Sequence, residues 1–128
     1  MIKPLALIIE DDPDLCRIFA EAVASADYET ELIYDGRSAL QRLEQTIPDL
    51  VVLDMHLPLV SGEQVLQHIR TTPRLAKIRV VIATADSGAT IGRPGEQADI
   101  IFIKPIRFKQ LQHLAERLRP AKTGPLTE

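Results

Sequence analysis

Five short apolar runs punctuate the chain, separated by stretches in which apolar residues recur at helical spacing. The third run, LVVL at 50–53, is bounded by Pro48-Asp49 on one side and by a loop containing Pro58 and Gly62 on the other. An unbroken apolar run between turn signals reads as a fully buried strand, and this one ends in Asp54. The first run, LALII at 5–9, also lacks alternation, as parallel strands covered on both faces do, and ends in Glu10-Asp11-Asp12. A weaker strand is expected over 29–34, closed by Asp35-Gly36. A fourth at 79–83 (RVVIA) leads into Thr84-Ala85-Asp86, and a fifth at 100–103 (IIFI) into Lys104-Pro105.

Between the runs the period lengthens. Pro13 suits a first helical position with Asp12 as N-cap, and Leu15, Ile18, Phe19, Ala22, Val23 and Ala26 then form one apolar stripe. Cys16 falls beside it and reads as an inert thiol. Ala39, Leu40 and Leu43 mark a short second helix. Ser61 and Gln64 have capping-box spacing ahead of Val65, Leu66 and Ile69, and Pro73 stops that helix. Phe108, Leu111, Leu114, Ala115 and Leu118 give a last amphipathic helix. The segment 87–97 resists the scheme, because it holds Gly88, Gly92, Pro94 and Gly95 with only Ala89 and Ile91 as apolar anchors. Each interior Gly costs a helix ~1 kcal/mol and an interior Pro ~3, so an irregular or weak fourth helix is expected there. Strands alternating with helices imply an α/β fold, a parallel sheet with right-handed crossovers and helices on both faces.

Composition narrows this to one domain. At 128 residues, 45% apolar and 26% charged, the chain suits a single globular unit over 1–119, followed by a polar tail at 120–128 expected to be disordered. The formal charge of -3 speaks against a nucleic-acid-binding surface. A single cysteine excludes an internal disulfide and suits a reducing compartment, and no apolar stretch approaches transmembrane length, so a soluble cytoplasmic protein is expected. Charge is unevenly divided: residues 1–63 carry 13 acids and 4 bases, residues 64–128 carry 5 acids and 11 bases. The acids that matter are expected in the first half and any basic partner surface in the second.

Ligands of open α/β sheets bind outside the carboxyl ends of the strands, where this chain places Glu10, Asp11, Asp12, Asp54, Thr84 and Lys104. Two carboxylates ~4 Å apart repel by roughly 4 kcal/mol at an effective dielectric of 20, so such a cluster either protonates or recruits a cation. All-oxygen ligands favour a hard ion such as Mg2+ and disfavour zinc. Other readings stand beside these. Lys104 could form a structural ion pair with Asp54, Asp12 could serve only as a cap, and His56, His68 and His113 could be solvated side chains.

The segments LIIEDDPDL, LVVLDMHLPLVSG, VVIATA and IFIKPI, in this order and spacing, resemble the receiver domain of two-component response regulators over residues 4–118. The resemblance implies a flavodoxin-like doubly wound five-stranded parallel sheet of order 2-1-3-4-5. It makes Asp54 the phosphoryl acceptor and Glu10, Asp11, Asp54 and the backbone carbonyl of His56 the Mg2+ ligands. Thr84 and Lys104 would contact the phosphoryl group, and the Lys104–Pro105 peptide would be cis. A carboxylate can attack phosphorus to give an acyl phosphate, so the residue types suit that chemistry. The implied donor is a sensor histidine kinase or phosphotransfer protein, and the output a downstream protein partner. Direct binding to nucleic acid or membrane is not expected, and the chain would be a monomer or weak homodimer. It would catalyse only its own aspartyl phosphorylation and dephosphorylation.

Two rival readings stand beside this one. One is a phosphorylation-independent interaction module on the same fold, a pseudo-receiver. The other is a phosphatase of the haloacid dehalogenase type, which expects a second Asp two residues after its nucleophile, where His56 stands. The family pattern is broken by Ile101, which replaces a usual aromatic residue three before the lysine, and by the Gly/Pro-rich stretch before it. Both bear on the conformational switch.

Overall fold

Every apolar run forms a strand in the computed structural model, which describes residues 2–85 and 98–120. The strands are β1 (Leu5–Ile9), β2 (Glu29–Ile33), β3 (Leu50–Asp54), β4 (Arg79–Thr84) and β5 (Ile100–Ile103). Between them run helices α1 (Pro13–Ala24), α2 (Gly36–Gln45), α3 (Gly62–Thr71) and α4 (Phe108–Leu118), with a single 3-10 turn at Pro73–Leu75. All strand pairs are parallel and the order is β2-β1-β3-β4-β5, the doubly wound flavodoxin-like order. The irregular helix expected within 87–97 lies outside the described residues, as does the expected tail from residue 121 onward.

β3 is buried at every position because it is central and covered on both faces. Leu50 and Val52 join Ala6 and Ile8 under α1 and α4, whereas Val51 and Leu53 join Leu7 and Ile9 under α2 and α3. Each Leu, Val or Ile side chain among them contributes ~1.5–3 kcal/mol by leaving water, so alternate residues of one strand weld both layers to the sheet. Caps set where the helices start. The Asp12 carboxylate accepts the N–H of Asp14 and Leu15, Asp35 accepts that of Ser38, and Ser61 and Gln64 form the expected reciprocal capping box.

Two assignments of the apolar stripes change. Ile18 is 40% exposed while Cys16 is fully buried, so the buried face of α1 keeps the expected Phe19, Ala22 and Val23 but runs through Cys16 and Ala20 rather than Ile18. A 3.6-residue period admits adjacent stripes, and packing against β1 and α4 selects this one. The first buried residue of α4 is Leu111, so Phe108 in the opening turn stays largely outside the core.

At the amino end of the sheet, two aspartates close equivalent rings between neighbouring strands. The Asp49 N–H donates to the Leu5 carbonyl (2.8 Å) while the Leu5 N–H donates to Asp49 Oδ2 (2.9 Å). Likewise, the Asp99 N–H donates to the Val80 carbonyl (2.9 Å) and the Val80 N–H to Asp99 Oδ2 (2.7 Å). The first ring starts the β1–β3 ladder and the second the β4–β5 ladder.

Candidate functional site

Register brings the site together. Ile9 pairs with Leu53 across β1 and β3, so the next residues, Glu10 and Asp54, emerge side by side at the carboxyl end of the sheet. Asp54 pairs with Ala83, and one step further Thr84 pairs with Ile103, which delivers Lys104 to the same end. Glu10 and Asp54 are only 2% and 3% exposed, Thr84 is fully buried, and Asp11 is exposed. One carboxylate oxygen from each of Glu10, Asp11 and Asp54 lies within 4.8 Å of the others.

Lys104 lies over this trio. Its Nζ is 2.7 Å from Glu10 Oε1 and 3.6 Å from Asp54 Oδ1, so the closer ion pair is with Glu10 rather than with the acceptor candidate. Glu10 Oε2 accepts the Asp12 N–H at 3.2 Å, which orients the turn in which Asp12 caps α1. Asp12 is therefore occupied as a cap. Asp54 Oδ1 also accepts the His56 N–H at 3.2 Å, whereas Oδ2 has no hydrogen-bond donor among the described residues. The His56 side chain is exposed, and its main chain is what faces the site. The Lys104–Pro105 peptide is cis.

The loop after β3 is held by close backbone packing. A Cβ on Gly62 would stand 2.1 Å from the Asp54 carbonyl oxygen, and the Gly62 N–H donates to the Met55 carbonyl at 3.1 Å. Gly36 meets the loop from the other side, where a Cβ would lie 1.9 Å from the Val60 carbonyl oxygen. Only glycine admits both approaches. The sequence marks Gly62 as a loop breaker, yet its eight-residue separation from Asp54 and its place just after the Ser61 cap are the signals that it seats α3 against the acid.

Burial pushes the Asp54 carboxyl above its ordinary value, opposed by the His56 N–H and Lys104 and reinforced by the Asp11 charge. Burial likewise raises Glu10, against the hydrogen bond from Lys104. For Lys104, burial acts to lower the ammonium, but the Glu10 hydrogen bond and the Asp54 charge outweigh it and hold it above the usual lysine value. Three carboxylates facing one ammonium leave an excess of negative charge. Asp54 Oδ2, which has no donor among the described residues, and the exposed Asp11 carboxylate offer oxygen ligands, so the donor set fits a hard divalent cation. No other His/Cys/Asp/Glu cluster of metal-binding geometry occurs among the described residues.

A doubly wound parallel sheet with acids and a lysine converging on its strand ends defines a flavodoxin-like α/β domain. The family profile described as the response regulator receiver domain matches residues 6–116. Over 112 residues the chain is 29% identical to the sensor histidine kinase TmoS of Ectopseudomonas mendocina, covering 86% of this chain and 11% of that protein. Among solved structures, the receiver domain of a signal transduction histidine kinase from Syntrophus aciditrophicus superposes with a TM-score of 0.81 at 29% identity, covering 90% of this chain and 89% of that one. A receiver domain of a sensor histidine kinase from Pseudomonas aeruginosa, solved with magnesium in its active-site cleft, gives 0.81 at 21% identity, covering 91% of this chain and 97% of that one. The chain belongs to the response regulator receiver domain family of two-component signalling. It is thus a signalling domain rather than a metabolic enzyme, and it spans about half or less of the length of the curated relatives it matches. No helix among the described residues is long and apolar enough to cross a membrane.

Proposed function

We propose that Asp54 accepts a phosphoryl group from a phosphohistidine of a sensor histidine kinase or phosphotransfer protein, with Mg2+ held by Glu10, Asp11, Asp54 and the His56 carbonyl. The observation that carries this reading is the buried Asp54 carboxylate, with Oδ1 3.6 Å from the Lys104 ammonium and Oδ2 without a hydrogen-bond donor among the described residues. An Asp54 oxygen attacks phosphorus, the bond from phosphorus to the donor imidazole nitrogen breaks, and that nitrogen keeps the electron pair. The product is an aspartyl phosphate. Bound Mg2+ supplies positive charge to the phosphoryl oxygens and lowers the repulsion among the three acids. Lys104 is placed to exchange its Glu10 contact for a phosphoryl oxygen. Thr84, the last residue of β4, supplies a hydroxyl to the phosphoryl group.

Support comes from three directions: the acid, threonine and lysine set is complete, the Pseudomonas domain holds magnesium in its cleft, and the curated relatives include histidine kinases and response regulators. The same setting makes the protein cytoplasmic, with a downstream protein as its output. Ile101 lies half-buried against the α2–α3 layer and carries no ring. Its β-branch restricts χ1, so output proceeds without the swing of an aromatic side chain at that position.

Intact-mass analysis after incubation with Mg2+ and acetyl phosphate tests the acceptor. One phosphate-sized addition is expected on the wild type and none on Asp54→Asn. Equal labelling of the variant overturns the assignment, and an unlabelled wild type returns the chain to the phosphorylation-independent interaction class.

A further inference from the structure

Lys104 is carried by the least supported strand of the sheet. β5 has four residues, pairs only with β4, and shows no fully buried position. A one-residue slip would move Lys104 by about 3.3 Å and turn its side chain to the other face, away from Glu10 and Asp54. Something must hold its register. At the carboxyl end the Lys104 N–H donates to the Thr84 carbonyl at 2.7 Å. At the amino end the Asp99 ring with Val80 does the corresponding work, since the carboxylate occupies the position of a ladder acceptor that only one register can satisfy.

Arg70 locks that carboxylate. Its Nη2 donates to Asp99 Oδ2 at 3.1 Å, while its Nη1 donates to the carbonyls of Ala76 (2.9 Å) and Ile78 (2.6 Å). One guanidinium therefore ties the last turn of α3, the approach to β4 and the start of β5. The Arg70 and Asp99 side chains are 17% and 23% exposed, whereas Arg79, the other partner of Asp99, is 57% exposed and adds little.

We propose that Asp99, held by Arg70, is a positioning residue for phosphoryl transfer: it sets the register of β5 and so places the Lys104 ammonium at the acceptor, about 16 Å away along the strand. This rests on the function proposed above. A like ring joins Asp49 to Leu5 at the start of the β1–β3 ladder.

Two measurements test the proposal. By hydrogen exchange, the Lys104 amide should lose protection in Asp99→Ala while the β1 amides keep theirs; unchanged protection at Lys104 overturns it. In labelling with acetyl phosphate at saturating Mg2+, Asp99→Ala should be slower by about tenfold or more. The Mg2+ affinity should stay within about twofold, since no metal ligand is on β5. The double variant with Lys104→Ala should be no slower than Lys104→Ala alone. Asp99→Asn, which keeps an oxygen for the Val80 N–H, should retain most of the rate. Multiplicative losses in the double variant, or a wild-type rate in Asp99→Ala, overturn the positioning role. If Asp99→Ala does not fold, Arg70→Met carries the same pair of measurements. Failure of the wild type to label overturns the functional reading itself and is thereby distinguished.

Discussion

At the amino end of the sheet, Asp49 and Asp99 each accept a main-chain N–H from the neighbouring strand, and Asp99 also receives two guanidinium groups. At the carboxyl end, Glu10, Asp11 and Asp54 face a single ammonium, and one oxygen of the most central acid has no donor among the described residues. The residue chemistry is the same at both ends; the supply of partners is not. A carboxylate with well-placed donors gains charge-assisted hydrogen bonds and stabilises the fold. A crowded, desolvated one raises the energy of the folded state and creates demand for a cation.

Mg2+ should produce the largest difference between the two ends. A site formed only in the folded state stabilises folding by about 2.7 kcal/mol at a hundredfold excess over Kd. Thermal melts with and without Mg2+ should show the wild-type rise kept in full by Asp49→Ala and lost in Asp11→Ala. An undiminished rise in Asp11→Ala would break the assignment of the trio as the metal site.

Removing one acid from each end should come next. Asp49→Ala leaves the half-buried Leu5 N–H without its acceptor and should cost about 1–2 kcal/mol in urea denaturation. Asp54→Asn should gain stability in metal-free buffer by less than that loss, because it removes a desolvated charge. A destabilised Asp54→Asn would show that the Lys104 contacts outweigh the crowding.

The smallest effect is a pH slope. The Asp54 carboxyl is raised in the folded state, chiefly by burial, so its contribution is fully present below the ordinary value of 3.8 and is lost as pH rises through the raised value. Without Mg2+, wild-type stability should therefore fall relative to Asp54→Asn as pH rises above the ordinary value of 3.8. Parallel pH profiles for the two proteins would remove the claim that Asp54 is the strained acid.

How much of this is visible in the residues follows the same division. The apolar runs and the acids that end them were legible, because a buried parallel strand leaves an unbroken apolar signature and its carboxyl end is where ligands gather. Asp49 shows in the sequence only as part of a turn signal and Asp99 carries no signal of its own, since a ring between strands depends on register, which no local pattern reports. Gly62 reads as a breaker in the sequence, because its close approach to the Asp54 carbonyl depends on where α3 packs. Ile18 and Cys16 exchanged expected environments because helical periodicity narrows the buried face to a sector, and the neighbouring elements choose within it. The sequence puts Lys104 near Asp54, but its shorter contact is to Glu10, a preference that order in the chain does not report.

The single cysteine has a practical use that follows from its placement. Cys16 is fully buried in the face of α1 that packs on the sheet, with its Sγ donating to the Ile8 carbonyl at 3.4 Å, and burial pushes its thiol up to about 11. A thiol-specific reagent at neutral pH meets neither an accessible sulfur nor a thiolate there. Its reaction rate consequently clocks how often α1 lifts from the sheet. The unmodified chain carries its own reporter of the opening of the layer above the acidic site, with no label to introduce.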